Sequence, residues 1–583
     1  MLARADAYTC RMLAVDETLA TVTDRWLARL ESALIAGDEG ALGVLFVAES
    51  YWRDVLALTW RIQTVSGAGN IASELGKFAR ERKPRSFGVD PERTPPRVVT
   101  RAGTSCIEAI FHFEMAEGPA SGVVRLEPER DEQRAWTFLT ALEDLKGHEE
   151  RVGEHRPLGS AYSRDFGGPN WLDQRREKQR FDKQEPTVLV VGGGQAGLSI
   201  GARLTQRGID TLIVDRWPRV GDNWRQRYHA LTLHNQVHVN HLPYMPFPPN
   251  WPVYIPKDKL ANWFEAYVEA MELNYWTGTE FLGGCFDSQK QTWNVQLKRD
   301  GKERVLHPKH VVMATGVSGI PNIPDIPELR AFSGKILHAS EYIDGEDWKG
   351  KKAVVIGTGN SGHDIAQDLY SGGAKVTLVQ RSPTLIIQCE PSAQLVYSLY
   401  SEGPPLEDCD LITVSVPWAV ARTSHRLATR HARELDQPLL KKLAGKGFRL
   451  TFGEDDTGWQ FMYLNRGGGY YFNVGCSNLI AEGKIDLEQV DELPEVLQGA
   501  DLVVLATGYK GLESMVAQFF GDEIARRIGP IWGFGPEDEL RNMFVRTPQP
   551  GLWFIAGSFA QCRIYSKYLA LQIHATELGL LAE

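Results

Sequence analysis

The spacing of hydrophobic and polar residues changes several times along the chain. Over residues 16–36 apolar residues recur at the spacing of an amphipathic helix, and a Gly37-Asp38 turn ends the pattern. A second helical stretch, EGALGVLFV, is followed by short segments typical of strands, among them SCIEAIFHFEMA, GVVRLEPE and AWTFLTALEDL. Helices first and strands later predict an α+β domain over residues 1–153.

A second pattern begins after a polar, irregular stretch at residues 154–185, which is typical of a linker. Two segments then follow the order strand, glycine-rich turn, helix, strand. They are TVLVVGGGQAGLSIGARLTQRGIDTLIVDR and KKAVVIGTGNSGHDIAQDLYSGGAKVTLVQRS. This order predicts an α/β region with two Rossmann-like dinucleotide-binding domains in series.

The first unit contains a G-x-G-x-x-G motif directly after the apolar run VLVV. Its glycines are Gly192, Gly194 and Gly197. Such glycines make a tight turn and let a pyrophosphate approach the helix N-terminus, and Asp215 at the end of the next strand can accept a hydrogen bond from a ribose hydroxyl. The motif alone also serves ordinary turns, but the full strand, turn, helix, strand and acid order favours a dinucleotide site.

The second unit repeats the motif with a different residue at the end of the second strand. Its glycines are Gly357, Gly359 and Gly362. At the same offset as Asp215 stands Gln380, followed by Arg381, so a 2′-phosphate meets no carboxylate and has a cation nearby. This favours NADPH over NADH. An arginine follows the strand end in both units, Arg216 after Asp215 and Arg381 after Gln380. Only the change from Asp to Gln therefore supports the preference for NADPH, and use of NADH stays open.

Further motifs give the chain a specific resemblance. A-T-G tripeptides end apolar strands at residues 314–316 and 506–508, and FSGKILHASEY has the pattern F-x-G-x-x-x-H-x-x-x-Y around His338. They are accompanied by GDNW, YHALTLHNQVHVNHLPYMPFP and ATGY. With these motifs, residues 185–583 resemble the class B flavoprotein monooxygenases, which include the flavin-containing and Baeyer-Villiger types.

The resemblance implies cofactors and roles for individual residues. FAD would be held by Gly192, Gly194, Gly197, Asp215 and Arg216, with Trp224 beside the isoalloxazine and Gln561 and Arg563 near its pyrimidine edge. The nicotinamide cofactor would be held by Gly357, Gly359, Gly362 and Arg381. Asn235 would position the nicotinamide and the flavin oxygen adduct, unless it belongs to an ordinary polar loop. His338, a catalytic candidate, would serve more as a link between domains than in proton transfer.

The resemblance also divides the chain into domains. We expect an FAD-binding domain at residues 186–342 and 491–583, and an NAD(P)-binding domain at residues 343–490 with a largely helical insert at about 382–453. Residues 1–153 resemble the cone-shaped nuclear transport factor 2-like fold, as in type II flavin-containing monooxygenases. A catalytic dyad among Asp54, His112 and Glu114 is not evident, which favours an inert module, with a homodimer through this domain as one use.

Composition narrows the partners and the compartment. The chain is 43% hydrophobic and 24% charged with a net charge of −10 and no basic cluster, so we expect neither nucleic acid nor membrane as a partner. Its seven cysteines are scattered and form no C-x-x-C pair. This predicts a reducing, cytoplasmic location and no metal site.

The implied reaction is monooxygenation of a small organic substrate by O2. NAD(P)H would reduce FAD, and oxygen would add to form a C4a-(hydro)peroxyflavin that oxygenates amines or sulfides when protonated and ketones when deprotonated. The sequence does not choose between these. A flavin disulfide reductase needs a dithiol that the chain lacks, while an NAD(P)H oxidase and a bifunctional protein with a separate N-terminal binding or isomerase module remain alternatives.

Overall fold

A computed structural model describes residues 18–128, 132–162 and 166–581. The helices are α1 (Leu19–Ala36), α2 (Glu39–Gly43), α3 (Ala68–Arg82), α4 (Gly159–Tyr162), α5 (Trp171–Arg180), α6 (Gln195–Gln206), α7 (Asp222–Arg225), α8 (Lys257–Ala270), α9 (Asn360–Ser371), α10 (Leu406–Val414), α11 (Trp418–Gly445), α12 (Gly458–Arg466), α13 (Cys476–Ala481), α14 (Leu493–Val496), α15 (Leu512–Phe520), α16 (Asp522–Ile528) and α17 (Phe559–Glu577).

The strands are β1 (Phe46–Val55), β2 (Ile62–Ser66), β3 (Arg85–Val89), β4 (Arg97–Arg101), β5 (Thr104–Glu114), β6 (Pro119–Leu126), β7 (Ala135–Leu142), β8 (Val188–Val191), β9 (Thr211–Val214), β10 (Asn274–Trp276), β11 (Thr279–Asp287), β12 (Thr292–Arg299), β13 (Lys302–Leu306), β14 (His310–Met313), β15 (Lys335–His338), β16 (Lys352–Ile356), β17 (Lys375–Gln380), β18 (Leu385–Gln388), β19 (Tyr470–Asn473), β20 (Asp486–Gln489), β21 (Leu502–Leu505) and β22 (Leu552–Phe554).

The N-terminal region is a seven-stranded sheet packed against helices. The strand order is β2-β1-β7-β6-β5-β3. Strand β4 pairs with the N-terminal half of β5, and β3 pairs with its C-terminal half. Trp26 of α1 packs on Phe46 and Phe138 of the sheet, with ring centroids 5.8 and 5.7 Å away. Helix α1 ends where Gly37 takes a left-handed conformation, as predicted, and the start of the predicted helix at residue 16 lies outside the described residues.

Two five-stranded parallel sheets follow, and they confirm the two dinucleotide folds. The first has the order β10-β9-β8-β14-β22 and the second β15-β21-β16-β17-β20. Strands β15 and β21 lie in the second sheet, so the predicted boundaries at residues 342 and 490 assign both strands to the wrong sheet. The reason is pairing over long sequence distances, since β21 inserts between β15 and β16.

Two segments between the sheets differ in part from the prediction. The linker was predicted to be irregular, but it contains α5. Asn170 and Asp173 form a capping box at the start of this helix. Its Arg175 donates a hydrogen bond to the Leu273 carbonyl oxygen. The insert is largely helical, as predicted, but it also contains β18, which pairs in parallel with β19. Within the described ranges no helix is long and apolar enough to cross a bilayer.

Candidate cofactor and active site

The first glycine turn forms a cradle in which side chains have no room. Gly192 has a φ of +106°, and a Cβ there would lie 2.6 Å from the Ala314 carbonyl oxygen. A Cβ on Gly197 would lie 1.9 Å from the Gly192 carbonyl oxygen. Gly194 is the N-cap of α6 and supplies no side chain to the helix N-terminus. The first backbone N–H groups of α6 are therefore left to other acceptors, as a pyrophosphate site requires.

Asp215 stands at the end of β9, next to this cradle. Its carboxylate accepts from the backbone N–H of Gly193 at 2.7 Å and of Trp217 at 3.0 Å. Burial raises the pKa of the Asp215 carboxyl, and these two hydrogen bonds oppose the rise. Each oxygen has one backbone partner, which leaves lone pairs that can accept from ribose hydroxyls.

The second glycine turn repeats this geometry closely. Gly357 has a φ of +115°, and its Cβ would lie 2.3 Å from the Ala506 carbonyl oxygen. A Cβ on Gly362 would lie 2.0 Å from the Gly357 carbonyl oxygen. In both units the alanine of the A-T-G tripeptide lies against the first glycine of the turn. This close packing explains why both tripeptides occur where they do in the sequence. Gly359 is the N-cap of α9, again with no side-chain cap.

The end of β17 differs from the end of β9. The Gln380 side chain is buried and pairs with the backbone of Arg449, donating to its carbonyl oxygen at 3.0 Å and accepting from its N–H at 2.8 Å. The Arg449 guanidinium donates to the Arg381 carbonyl oxygen at 2.7 Å. Two exposed arginines thus stand at this strand end. The sequence analysis missed Arg449, which lies 68 residues away and has no motif of its own.

Asn235 lies in residues 233–241, a segment that contacts the insert of the second unit. Its amide donates to the Tyr397 hydroxyl at 3.2 Å, while its Oδ1 is buried without a hydrogen-bond partner among the described residues. The His234 carbonyl oxygen accepts from Gln394 at 3.0 Å. An unpartnered buried acceptor costs free energy unless a ligand satisfies it, so Asn235 is a ligand-facing candidate and Tyr397 a neighbour that sequence reasoning missed.

Aromatic side chains pack around this segment. The His234 ring meets Phe472 edge-on with centroids 4.5 Å apart, and Phe472 packs on Trp459 at 4.7 Å. Burial lowers the pKa of His234 to about 4, so its ring is neutral at pH 7. Trp224 stacks on Phe559 at 6.2 Å, and its buried Nε1 has no partner in the described part of the chain. Aromatic rings therefore pack against the segment beside Asn235, at His234.

His338 has protein partners on both ring nitrogens. Nδ1 accepts from the Ser340 N–H at 3.1 Å, which places the proton on Nε2, and Nε2 donates to the Gly508 carbonyl oxygen at 3.1 Å. Burial lowers the pKa of this histidine. Gly508 belongs to the second A-T-G turn. The geometry favours the linking role for His338 over proton transfer.

The first turn of α17 uses both polar residues that were expected near the flavin edge. Gln561 completes a capping box in which its Oε1 accepts from the Ser558 N–H. Arg563 is 3% exposed and bidentate to Asp410, with both N···O distances 2.7 Å. It also donates to the carbonyl oxygens of Val239 and His241. The Arg563 guanidinium is therefore bonded to protein groups, and through Val239 and His241 it supports the 233–241 segment.

The dyad candidates of the N-terminal region do not come together. Asp54 is fully buried and accepts from Leu58, Thr59 and Thr140. His112 and Glu114 are exposed, and Glu114 pairs with Arg85. Asp54 therefore stabilises a turn, and these three residues form no catalytic pair.

Known proteins were compared with this chain. The family model described as "Pyridine nucleotide-disulphide oxidoreductase" matches residues 189–399. The chain is 30% identical over 376 residues to the probable indole-3-pyruvate monooxygenase YUCCA1 of Arabidopsis thaliana, covering 63% of this chain and 81% of that protein. An identity of this size across most of a relative decides the family. The chain belongs to the class B flavoprotein monooxygenases.

Other members of this flavoprotein family align over shorter lengths. The indole-3-pyruvate monooxygenase YUCCA1 of Oryza sativa subsp. japonica is 35% identical over 220 residues, which cover 38% of this chain and 53% of that protein. The chain spans about half the length of the first curated relatives it matches. The ε-caprolactone-bound structure of cyclohexanone monooxygenase in the Loose conformation aligns with 15% identity and a TM-score of 0.49, over 68% of this chain and 88% of that chain.

FAD and NADPH are the cofactors of class B flavoprotein monooxygenases, and the residues present fit both. Each unit has a glycine turn that a Cβ would fill and a helix N-terminus without a side-chain cap. The buried Oδ1 of Asn235 and Nε1 of Trp224 have no hydrogen-bond partner among the described residues. All six cysteines in the described ranges are free of disulfide bonds.

Proposed function

We propose that this chain is an FAD-dependent monooxygenase that uses NADPH and O2 to oxygenate a small organic substrate. When bound, FAD accepts a hydride from NADPH and its reduced ring activates O2. The observation that carries the proposal is the pair of matched glycine cradles together with the unpartnered Oδ1 of Asn235, on a segment that contacts the second unit.

The proposed roles follow from this geometry. Gly192, Gly194, Gly197, Asp215 and Arg216 hold FAD, and Trp224 lies beside its ring. Gly357, Gly359, Gly362 and Arg381 hold NADPH, with Arg449 as a further cation. The amide of Asn235 keeps the nicotinamide and the activated oxygen in register, and the apolar surroundings exclude water from them. Gln561 caps α17 and has an amide group left for the flavin edge.

Substrate choice is proposed only as a class. The rings of His234, Trp459 and Phe472 near Asn235 suit a flat, apolar molecule. Heteroatom oxygenation and Baeyer-Villiger oxidation are both retained. The relatives named for indole-3-pyruvate make an aromatic keto acid a rational member of a test panel, beside amines, sulfides and ketones.

The N-terminal region is proposed to be a nuclear transport factor 2-like module without catalysis of its own. This proposal is supported by helices packed on one face of a seven-stranded sheet and by the separation of Asp54 from His112 and Glu114. A homodimer through this module and a cytoplasmic location stay predictions.

The test is the ratio of oxygenated product to NADPH oxidised, measured for wild type and Asn235→Ala. The variant should bind FAD as wild type does and should still be reduced by NADPH, because the two glycine units hold the cofactors. Loss of a well-placed donor in a dry site costs about 2.7 to 4 kcal/mol, so the ratio should fall by about 10² while hydrogen peroxide appears.

Gln236→Ala is the matched control, because Gln236 is the next residue and its amide bonds Glu390 in an exposed position. It should keep the wild-type ratio. An unchanged ratio in Asn235→Ala would reduce Asn235 to part of a polar loop. A wild-type protein that makes only peroxide with every substrate of the panel would instead be an NADPH oxidase.

A further inference from the structure

The N-terminal sheet docks on the insert through α10. Asp408 of α10 is 2% exposed, and its carboxylate receives hydrogen bonds from the Arg93 side chain and from the Thr94 backbone N–H at 2.7 Å. Arg53 of β1 donates to the carbonyl oxygen of Val414, at the end of α10, at 2.9 Å. Both ends of this short helix are thus held by the N-terminal domain.

The opposite side of α10 faces the proposed flavin site. Residues two apart on a helix point in nearly opposite directions, so Asp408 and Asp410 reach away from each other. Asp410 holds Arg563 by two bonds of 2.7 Å and also accepts from the Tyr400 hydroxyl at 2.8 Å. One turn of helix therefore connects the N-terminal domain to α17.

Arg563 extends the connection to Asn235. Its Nη1 donates to the Val239 and His241 carbonyl oxygens, both at 2.8 Å. Within the same segment the Asn240 side chain donates to the Asn235 carbonyl oxygen at 3.0 Å. Charge-assisted and neutral hydrogen bonds therefore connect Arg93 to Asn235, joined at two points by short lengths of backbone, in α10 and within residues 239–241.

We propose that the N-terminal domain positions the 233–241 segment through α10, with Asp408, Asp410 and Arg563 as positioning residues. The domain is then a part of the monooxygenase site's support and not a separate catalyst. The inference depends on the proposed function only for its effect on turnover. Its structural effect, on the order of residues 233–241, is independent of any reaction.

The physical reason lies in how tightly Asn235 must be placed. A reacting geometry tolerates displacements well below 1 Å. The backbone of residues 233–241 is held at one end by Leu233 and Val237, which donate to Ile255 and Val253, and Asn235 lies between them. The carbonyl oxygens of Val239 and His241 both accept hydrogen bonds from the buried guanidinium of Arg563. That guanidinium needs a buried counter-charge, which Asp410 supplies from a helix fixed at Asp408.

The experiment compares Asp408→Asn and Asp410→Asn with a matched control, Asp144→Asn. Asp144 joins the N-terminal region to Arg207 at the end of α6 at 2.8 Å and does not contact α10. Asp408→Asn and Asp144→Asn each lose a carboxylate at the domain junction, so a general loss of docking stability affects the control too. Each is purified with FAD bound, and thermal unfolding is recorded to match stability.

The first readout is hydrogen exchange in peptides that cover residues 233–241. Exchange there should speed up by about threefold or more in Asp408→Asn and Asp410→Asn, and should not change in Asp144→Asn. The second readout is product formed per NADPH oxidised, which should fall by about tenfold in the two α10 variants only. The rate of flavin reduction by NADPH should stay at the wild-type value in all three.

The outcomes separate the two proposals. Wild-type exchange at residues 233–241 in Asp408→Asn overturns the positioning role, and so does equal acceleration in Asp144→Asn. If the wild type oxygenates no substrate, the proposed function fails while the exchange result still decides the connection. Asp410→Glu, which keeps the charge, should recover part of the protection lost in Asp410→Asn, and equal loss in both would also overturn it.

Discussion

The two glycine units have nearly the same backbone but use their strand ends differently. Gly192 and Gly357 share a left-handed φ and the same close approach to an alanine carbonyl oxygen. At the strand ends, Asp215 bonds its own glycine turn, whereas Gln380 bonds the backbone of Arg449 in the insert. We therefore propose that the shared cradle binds a dinucleotide in both units and that the residue at the strand end distinguishes the two cofactors.

The largest expected effect comes from filling each cradle in turn. Gly194→Val should leave less than about one tenth of the FAD bound, because the side chain occupies the space of the pyrophosphate. Gly359→Val should keep FAD and raise the Michaelis constant for NADPH by about 100-fold or more. FAD content is read from the flavin absorbance of folded protein.

These glycines suit the test because a Cβ there does not strike backbone at close range, and at Gly194 only the Asn223 side chain has to move. On Gly194 it would lie 3.0 Å from the Asn223 side chain, and on Gly359 3.9 Å from the Tyr470 carbonyl oxygen. The same change at Gly197 would strike backbone at 1.9 Å and disturb the fold. Stoichiometric FAD in Gly194→Val, or loss of FAD in Gly359→Val, would contradict the assignment of the two units.

The next effect concerns coenzyme choice. Arg381→Ala removes a charge-assisted contact worth about 1.5 to 3 kcal/mol, so the Michaelis constant for NADPH should rise by roughly one to two decades. The constant for NADH should change little, because NADH has no 2′-phosphate. Lys375→Ala, at the other end of the same strand, is the control and should affect neither coenzyme. Equal losses for NADPH and NADH would show that Arg381 does not read the phosphate.

The smallest effect tests why Gln380 replaces a carboxylate. Gln380→Ala removes two hydrogen bonds to the Arg449 backbone. Because this weakens only the placement of Arg449, the Michaelis constant for NADPH should rise twofold to tenfold, which corresponds to one typical bond of about 0.5 to 1.5 kcal/mol. If Gln380 acts by placing Arg449, the double variant Gln380→Ala/Arg449→Ala should be no worse than Arg449→Ala alone. Full additivity would mean that Gln380 and Arg449 act separately.

Much of the fold was predictable because local physics determines it. The first and third glycines of each motif stand where a turn requires positive φ or where backbone approaches backbone. These requirements can be recognised in the sequence as G-x-G-x-x-G between an apolar strand and a helix. The end of α1 at Gly37 has the same kind of local cause. The cofactor class followed from such signals in their order along the chain.

Other features depended on packing between residues far apart in sequence. Strands β15 and β21 entered the second sheet, contrary to the boundaries drawn from motif order, because strand pairing is chosen by the whole sheet. Arg449 beside Arg381, Tyr397 beside Asn235, and Asp410 under Arg563 leave no pattern in their own neighbourhoods.

The amino-acid sequence by itself determined the two nucleotide cradles, their chain order and the residue that distinguishes them. Only the tertiary structure decided which side chains support Asn235, and that the N-terminal domain meets the insert at Asp408. The physical reason is the separation in sequence of the residues that decide each feature. A backbone turn is decided by a few adjacent residues, whereas a buried ion pair forms only where complete domains bring its two charges together.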